Sequence, residues 1–210
     1  MGRQRILAAA IIVALPILIH VLTVTESVRP IGIAVGWLTA AGVAIALARR
    51  FRIAALEGGA VAAAVGVALV LSAGTPYAVF VPSVAIDALL LWLFGRTLVP
   101  GREPLVSSVA RVVRGELPPE IACYTRRATW VWCIFFAALA CTSILLAAFA
   151  PLAFWSLFAN VLVYPLIALM FAAEYLYRRR RFPGTQHLNP IALARRLVQA
   201  GYFRPAASTK

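Results

Sequence analysis

The sequence predicts an all-α fold, a polytopic transmembrane bundle of six spans carrying short interfacial amphipathic helices. Three observations lead there. Hydrophobic residues make up 63% of the 210 and the mean hydropathy is +0.91, more apolar surface than one soluble core of this size can hide. Six apolar runs are each long enough to cross a hydrocarbon core of about 30 Å at about 1.5 Å per helical residue. The basic residues collect in alternate connections, as they do when positive loops stay on the cytoplasmic side.

The first run, residues 6–25, follows Arg3 and Arg5 as the apolar part of a signal peptide would. It is nevertheless about twenty residues long with no A-x-A type site before Glu26, and is read as an uncleaved span. The second, 31–48, carries Gly32, Gly36, Ala40 and Ala44 at four-residue spacing, and the third, 53–73, carries Gly58, Ala62 and Gly66 in the same way. Small faces joined by the short turn at 49–52 predict a tight antiparallel hairpin, with chance spacing in alanine-rich helices as the plainer explanation. Gly74, Thr75 and Pro76 separate the third run from the fourth, 77–94. The fifth and sixth cover 128–150 and 153–176. Trp92, Trp130, Trp132 and Trp155 fall near span ends, where indole rings suit the boundary between water and lipid.

The longest connection, 95–127, is expected to hold a helix opened by Pro104. Leu105, Val106, Val109, Val112 and Val113 share one of its faces and Ser107, Ser108, Arg111 and Arg114 the other, the pattern of a helix lying in the interface. Beyond Gly115, Pro118 and Pro119 are placed to open a helix with Glu120 in its first turn, running straight into the fifth span. Residues 1–182 then form the spanning domain and 183–210 a basic tail. In the tail Asn189 caps a short stripe of Ile191, Ala194, Leu197 and Val198, with Arg195 and Arg196 facing head groups.

Twenty Lys and Arg against seven Asp and Glu give a formal charge of +13, which in a soluble chain would point to nucleic acid. Threaded with its N-terminus inside, the chain instead places nineteen of the twenty on one side and only Arg29 on the other. The expected partner is therefore membrane lipid and not nucleic acid, with both ends cytoplasmic. Cys123, Cys133 and Cys141 have neither disulfide nor metal spacing. The sequence has no Walker-type GxxxxGK[ST], no HExxH and no GxSxG, and its two histidines lie far apart. No cofactor is implied, and converging acids and bases of the kind an enzyme needs are not evident.

Asp87 is the foremost candidate for chemistry. It lies nine residues from Arg96, about 13 Å beneath the cytoplasmic boundary, where an ionisable group is by default a functional hypothesis. Thr39 is the nearby hydroxyl at that depth, and a single interhelical hydrogen bond is the structural alternative. Ser156, Asn160 and Tyr164 form a polar stripe on the sixth span that must face other helices. Residue counting puts Asn160 about 27 Å from the inner surface, too far from Asp87 for contact, and His20 at about 22 Å. A structural hydrogen bond between His20 and Asn160 is expected. Glu57 and Glu174 lie within a turn of arginines, and ordinary charge pairing accounts for both.

Three strings, LFGRTLVPGREPL, GELPPEIACYTRRATWVW and WSLFANVLVYPLIALMFAAEYLYRRRRFPG, resemble an uncharacterised family of bacterial inner-membrane proteins. Its members tend to be encoded in clusters for aryl polyene or xanthomonadin-type lipids, and the likeness covers roughly residues 90–184. The resemblance implies a role in the synthesis, membrane handling or export of an acyl or polyene lipid. Cytosolic acyl carrier protein or acyltransferases are then the expected partners. Arg96, Arg102, Arg111, Arg114, Arg126 and Arg127 would receive an acidic carrier protein or a phosphate-bearing head group, although such arginines also serve orientation. The alternatives are a small transporter or flippase using Asp87, and a scaffold for cytosolic lipid-biosynthetic enzymes.

Overall fold

The computed structural model describes residues 14–50 and 76–183, and all regular structure among them is helical. In chain order these are α1 (Ala14–Val24), α2 (Arg29–Arg50), α3 (Val81–Gly95), α4 (Leu105–Arg114), α5 (Pro119–Phe149) and α6 (Leu152–Arg181). Single 3-10 turns at Glu26–Val28 and Pro76–Val79 lead into α2 and α3. Glu26–Leu47, Pro119–Phe149 and Leu152–Arg181 are each long and apolar enough to cross a membrane, while Ala14–Val24 and Val81–Gly95 are shorter apolar helices. The expected third span, with Glu57, Gly58, Ala62 and Gly66, and the tail helix after Asn189 lie outside the described residues.

Local chemistry sets the boundaries. Pro118 is extended and Pro119 occupies the first turn of α5, where its missing N–H costs nothing and Glu120 complements the helix dipole. At the other end Pro151 drives Ala150 into extended backbone, which ends α5 and lets α6 begin one residue later. α4 stops at Gly115, whose φ of 77° lies in the left-handed region that favours glycine. The 15 residues of α3 cover about 22 Å, and the 3-10 turn ahead of it adds about 8 Å, so together they match a bilayer core.

α1 and α2 fold back on each other with a close backbone approach at Gly32, against Leu22 and Thr23. A Cβ on Gly32 would stand 3.0 Å from the carbonyl carbon of Leu22, so a larger residue would have to push the two backbones apart. One turn on, Gly36 faces the ring of Pro82 in α3, and Trp37 Nε1 donates to the Ala78 carbonyl at 3.2 Å. The small face of α2 therefore meets α1 and α3, and because Ile33 packs with the Val79 and Trp155 cluster while Gly36 meets Pro82, α2 and α3 run parallel.

α3 lies along α5, where Trp132, Phe136 and Leu139 make the best-filled core. The Trp132 ring lies 5.9 Å from Phe94, 5.6 Å from Phe136 and 4.6 Å from Phe171, tilted packings that suit aromatic quadrupoles. Trp132 and Trp155 are thus core side chains and not boundary markers, since both are buried. Trp130, on the opposite face of α5, is 55% exposed.

The interfacial helix forms where expected but turns a different face inward. Ser107, assigned to the solvent side, is buried, and its Oγ lies 2.6 Å from Thr125 Oγ1 on α5. The Val106 N–H donates to Thr129 Oγ1 at 3.3 Å. α4 is consequently fastened to α5 by hydroxyls as well as by Leu105 and Val106, and does not float on lipid alone.

Candidate functional site

A cavity of about 130 Å3 lies between α1, α2, α3 and α6. Its walls are mostly apolar, but Thr39, Ser83, Asp87, Asn160 and Tyr164 reach it from three helices. Asp87 is 6% exposed and sits on the second half-turn of α3 past Ser83, so the two share a face by the helical repeat. Among the described residues no donor or cation meets its carboxyl group. Thr39 donates its own hydroxyl to the Val35 carbonyl at 2.8 Å and offers the cavity an acceptor oxygen.

α6 supplies the other wall through an irregularity. At Phe158–Leu162 its winding loosens to a single π turn, a device that often marks functional positions. Asn160 lies in that turn and donates to Ser156 Oγ at 3.0 Å, while His20 Nδ1 approaches the same Oγ at 2.9 Å. Ser156 is fully buried and serves as the hub that links α1 to α6. The anticipated bond between His20 and Asn160 is therefore relayed through Ser156. Beside it Trp155 Nε1 donates to Ser143 Oγ at 3.0 Å and closes one end of the cavity, with Phe80 edge-on at 4.7 Å.

Counting residues along separate helices put Asn160 and Asp87 at different depths, yet both line this one cavity. α6 borders it from Trp155 to Ile167, about 18 Å of helix, which spans the difference. Asp87, Thr39, Asn160 and Tyr164 are thus brought together, and His20 stands just outside, joined through Ser156. Ser83 and Ser156 are the residues that counting underrated. The four-residue step between Ser83 and Asp87 was the available signal.

The arginines behave differently. Arg96 stacks over the Trp92 ring at 4.9 Å, Arg126 Nη2 donates to the Leu98 carbonyl at 2.9 Å, and Arg111 pairs with Glu103 at 2.8 Å. Arg102 and Arg127 are exposed, and Arg114 ends α4 with its side chain outside the described residues. These groups surround one end of the bundle without converging on a single pocket. At the same end Glu174 accepts the Tyr124 hydroxyl at 2.8 Å and pairs with Arg178 at 3.5 Å, as its place near the arginine run implied. Burial, and then the Glu174 charge beside it, hold the Tyr124 phenol well above its ordinary range.

Cys123, Cys133 and Cys141 are free thiols, and no group of three metal-ligating side chains occurs among the described residues. Comparison with known protein families, with curated proteins and with solved structures finds no match.

Proposed function

We propose that this chain is a six-span bacterial inner-membrane protein, both ends cytoplasmic, that moves or presents an acyl or polyene lipid, with the Asp87 cavity as its working centre. The meeting of Asp87 with Thr39, Ser83, Asn160 and Tyr164 in one cavity carries this reading. An ionisable group inside a membrane bundle is expensive and is kept where a polar group or ion must pass. At about 130 Å3 the cavity has room for a few waters, enough to hydrate a carboxyl group but too small to house a lipid. Asp87 then acts as a polar relay for a proton or a small hydrophilic part of the substrate, and the acyl body stays in the bilayer.

The six-span arrangement has separate support. Because α2 and α3 run parallel, the chain leaves one end of the bundle at Arg50 and resumes at the other at Pro76. A crossing by the apolar run at 53–73, which lies outside the described residues, fits that change of end. Arg96, Arg126 and Arg178 gather at one end and Arg29 lies at the other, matching the charge asymmetry expected of a cytoplasmic face. The lipid class rests on the resemblance of residues 90–184.

The test uses full-length protein in liposomes with a fluorescent anionic lipid whose leaflet is read by dithionite quenching. Asp87→Asn is expected to slow movement at least about tenfold while melting like the wild type, the loss typical of one removed polar group. Wild-type rates in Asp87→Asn and Asp87→Leu would reject the relay. A reporter fused after Lys210 that reads out as periplasmic would reject the topology.

A further inference from the structure

The cytoplasmic end of the bundle carries a second concavity, a groove of about 760 Å3 between the Pro119 end of α5 and the Arg181 end of α6. We infer that it binds one anionic phospholipid, with the phosphate at the mouth and the first part of an acyl chain along the apolar wall. The inference depends on α5 and α6 spanning a bilayer but not on any role for Asp87.

The groove is polarised in the way such a molecule is polarised. Its inner part is formed by Ala128, Val131, Met170 and Ala173, and Val131 and Ala173 are exposed there. These positions belong to the hydrophobic runs at 128–150 and 153–176, so this wall opens onto hydrocarbon. Arg127 and Arg181 stand at the outer part, one on each helix. Arg181 lies over the Phe182 ring at 5.4 Å, and its guanidinium offers the planar fork of N–H donors that suits a phosphate. Arg127 has no ion pair among the described residues.

The floor is aromatic, and the half-buried acid beside it is already partnered. The Tyr124 and Tyr177 rings stack at 5.8 Å, with Phe182 edge-on to Tyr124 at 5.4 Å. Glu174 spends its two oxygens on the Tyr124 hydroxyl and on Arg178, so it does not confront an incoming anion with a bare charge. Glu120, exposed in the first turn of α5, is held by the helix N-terminus that favours it. A volume of this size falls within the range of small-molecule pockets and suits a head group with several methylenes.

Native mass spectrometry of the full-length protein, exchanged into mild detergent with phosphatidylglycerol or phosphatidylcholine of matched chains, tests this. The wild type is expected to retain phosphatidylglycerol in preference. Arg127→Gln with Arg181→Gln should weaken that retention about tenfold or more, given the contribution of each basic side chain near anionic lipid. Ala173→Phe, at an exposed wall position, should lower retention with every charge in place, and Arg29→Gln at the far end should leave it unchanged. Equal retention of the two lipids, or wild-type retention by both groove variants, overturns the inference. Displacement of the lipid by inorganic phosphate alone also overturns it, because a bare ion would then account for the site.

Discussion

The interface of α3 with α5 and the cavity between α2, α3 and α6 lie side by side and treat polar atoms in opposite ways. Along α5, each buried hydroxyl has a close partner: Ser107 with Thr125, Thr129 with the Thr125 carbonyl at 2.9 Å, and Ser143 with Trp155. The space between them is filled by Trp132, Phe136 and Leu139. Across α3 the polar groups face unfilled volume, and the one acid among them has no partner in the described residues. In a bilayer lipid is as apolar as leucine, so close packing and completed hydrogen bonds hold helices together. The first region meets that requirement and the second departs from it, which separates scaffold from site.

Truncating the packed side should hurt most. Trp132→Ala removes a ring that touches four others and is expected to cost about 3–5 kcal/mol, read as a fall in melting temperature in detergent. A loss under about 1 kcal/mol would mean this core is looser than its contacts imply. Next, Ser143→Ala strands the buried Trp155 N–H and should cost about 1–3 kcal/mol, whereas Trp155→Phe combined with it should recover part of the loss.

A third effect is confined to high pH. The Tyr124 phenol is raised by burial and by Glu174, so its folded-state affinity for the proton exceeds that of a free tyrosine. Its stabilising contribution is then complete below about pH 10 and declines as pH rises toward the folded-state value. Phenolate absorbance should show one late-titrating tyrosine that Tyr124→Phe removes, and unchanged titration in that variant would contradict the contact. The smallest effect belongs to the cavity. Asp87→Leu exchanges a carboxyl without a partner for an apolar side chain and should leave the melting temperature level or slightly higher. Marked destabilisation would move Asp87 to the scaffold side.

Much of the architecture was legible because spans are a property of composition over about twenty residues. The α5–α6 break fell between the apolar runs at 128–150 and 153–176, the start of α5 was announced by Pro118 and Pro119, and the end of α4 by Gly115. Orientation within helices was harder to see. Ser107 looked like a solvent residue because binary patterning cannot tell a hydroxyl facing water from one facing Thr125. Trp155 looked interfacial because position along a span does not reveal rotation about it. The separation assigned to Asp87 and Asn160 assumed straight, equally tilted helices, and no local pattern gave warning of the π turn at Phe158–Leu162.

The 31 residues of α5 extend about 46 Å, some 16 Å beyond the hydrocarbon layer. That surplus makes bilayer thickness a variable of the molecule. In a thin membrane α5 tilts or leaves Tyr124, Arg126 and Arg127 clear among head groups, whereas a thicker one stands it upright and draws those groups toward the acyl chains. α5 is thus long enough to cross such a layer and still carry its polar first turns beyond it.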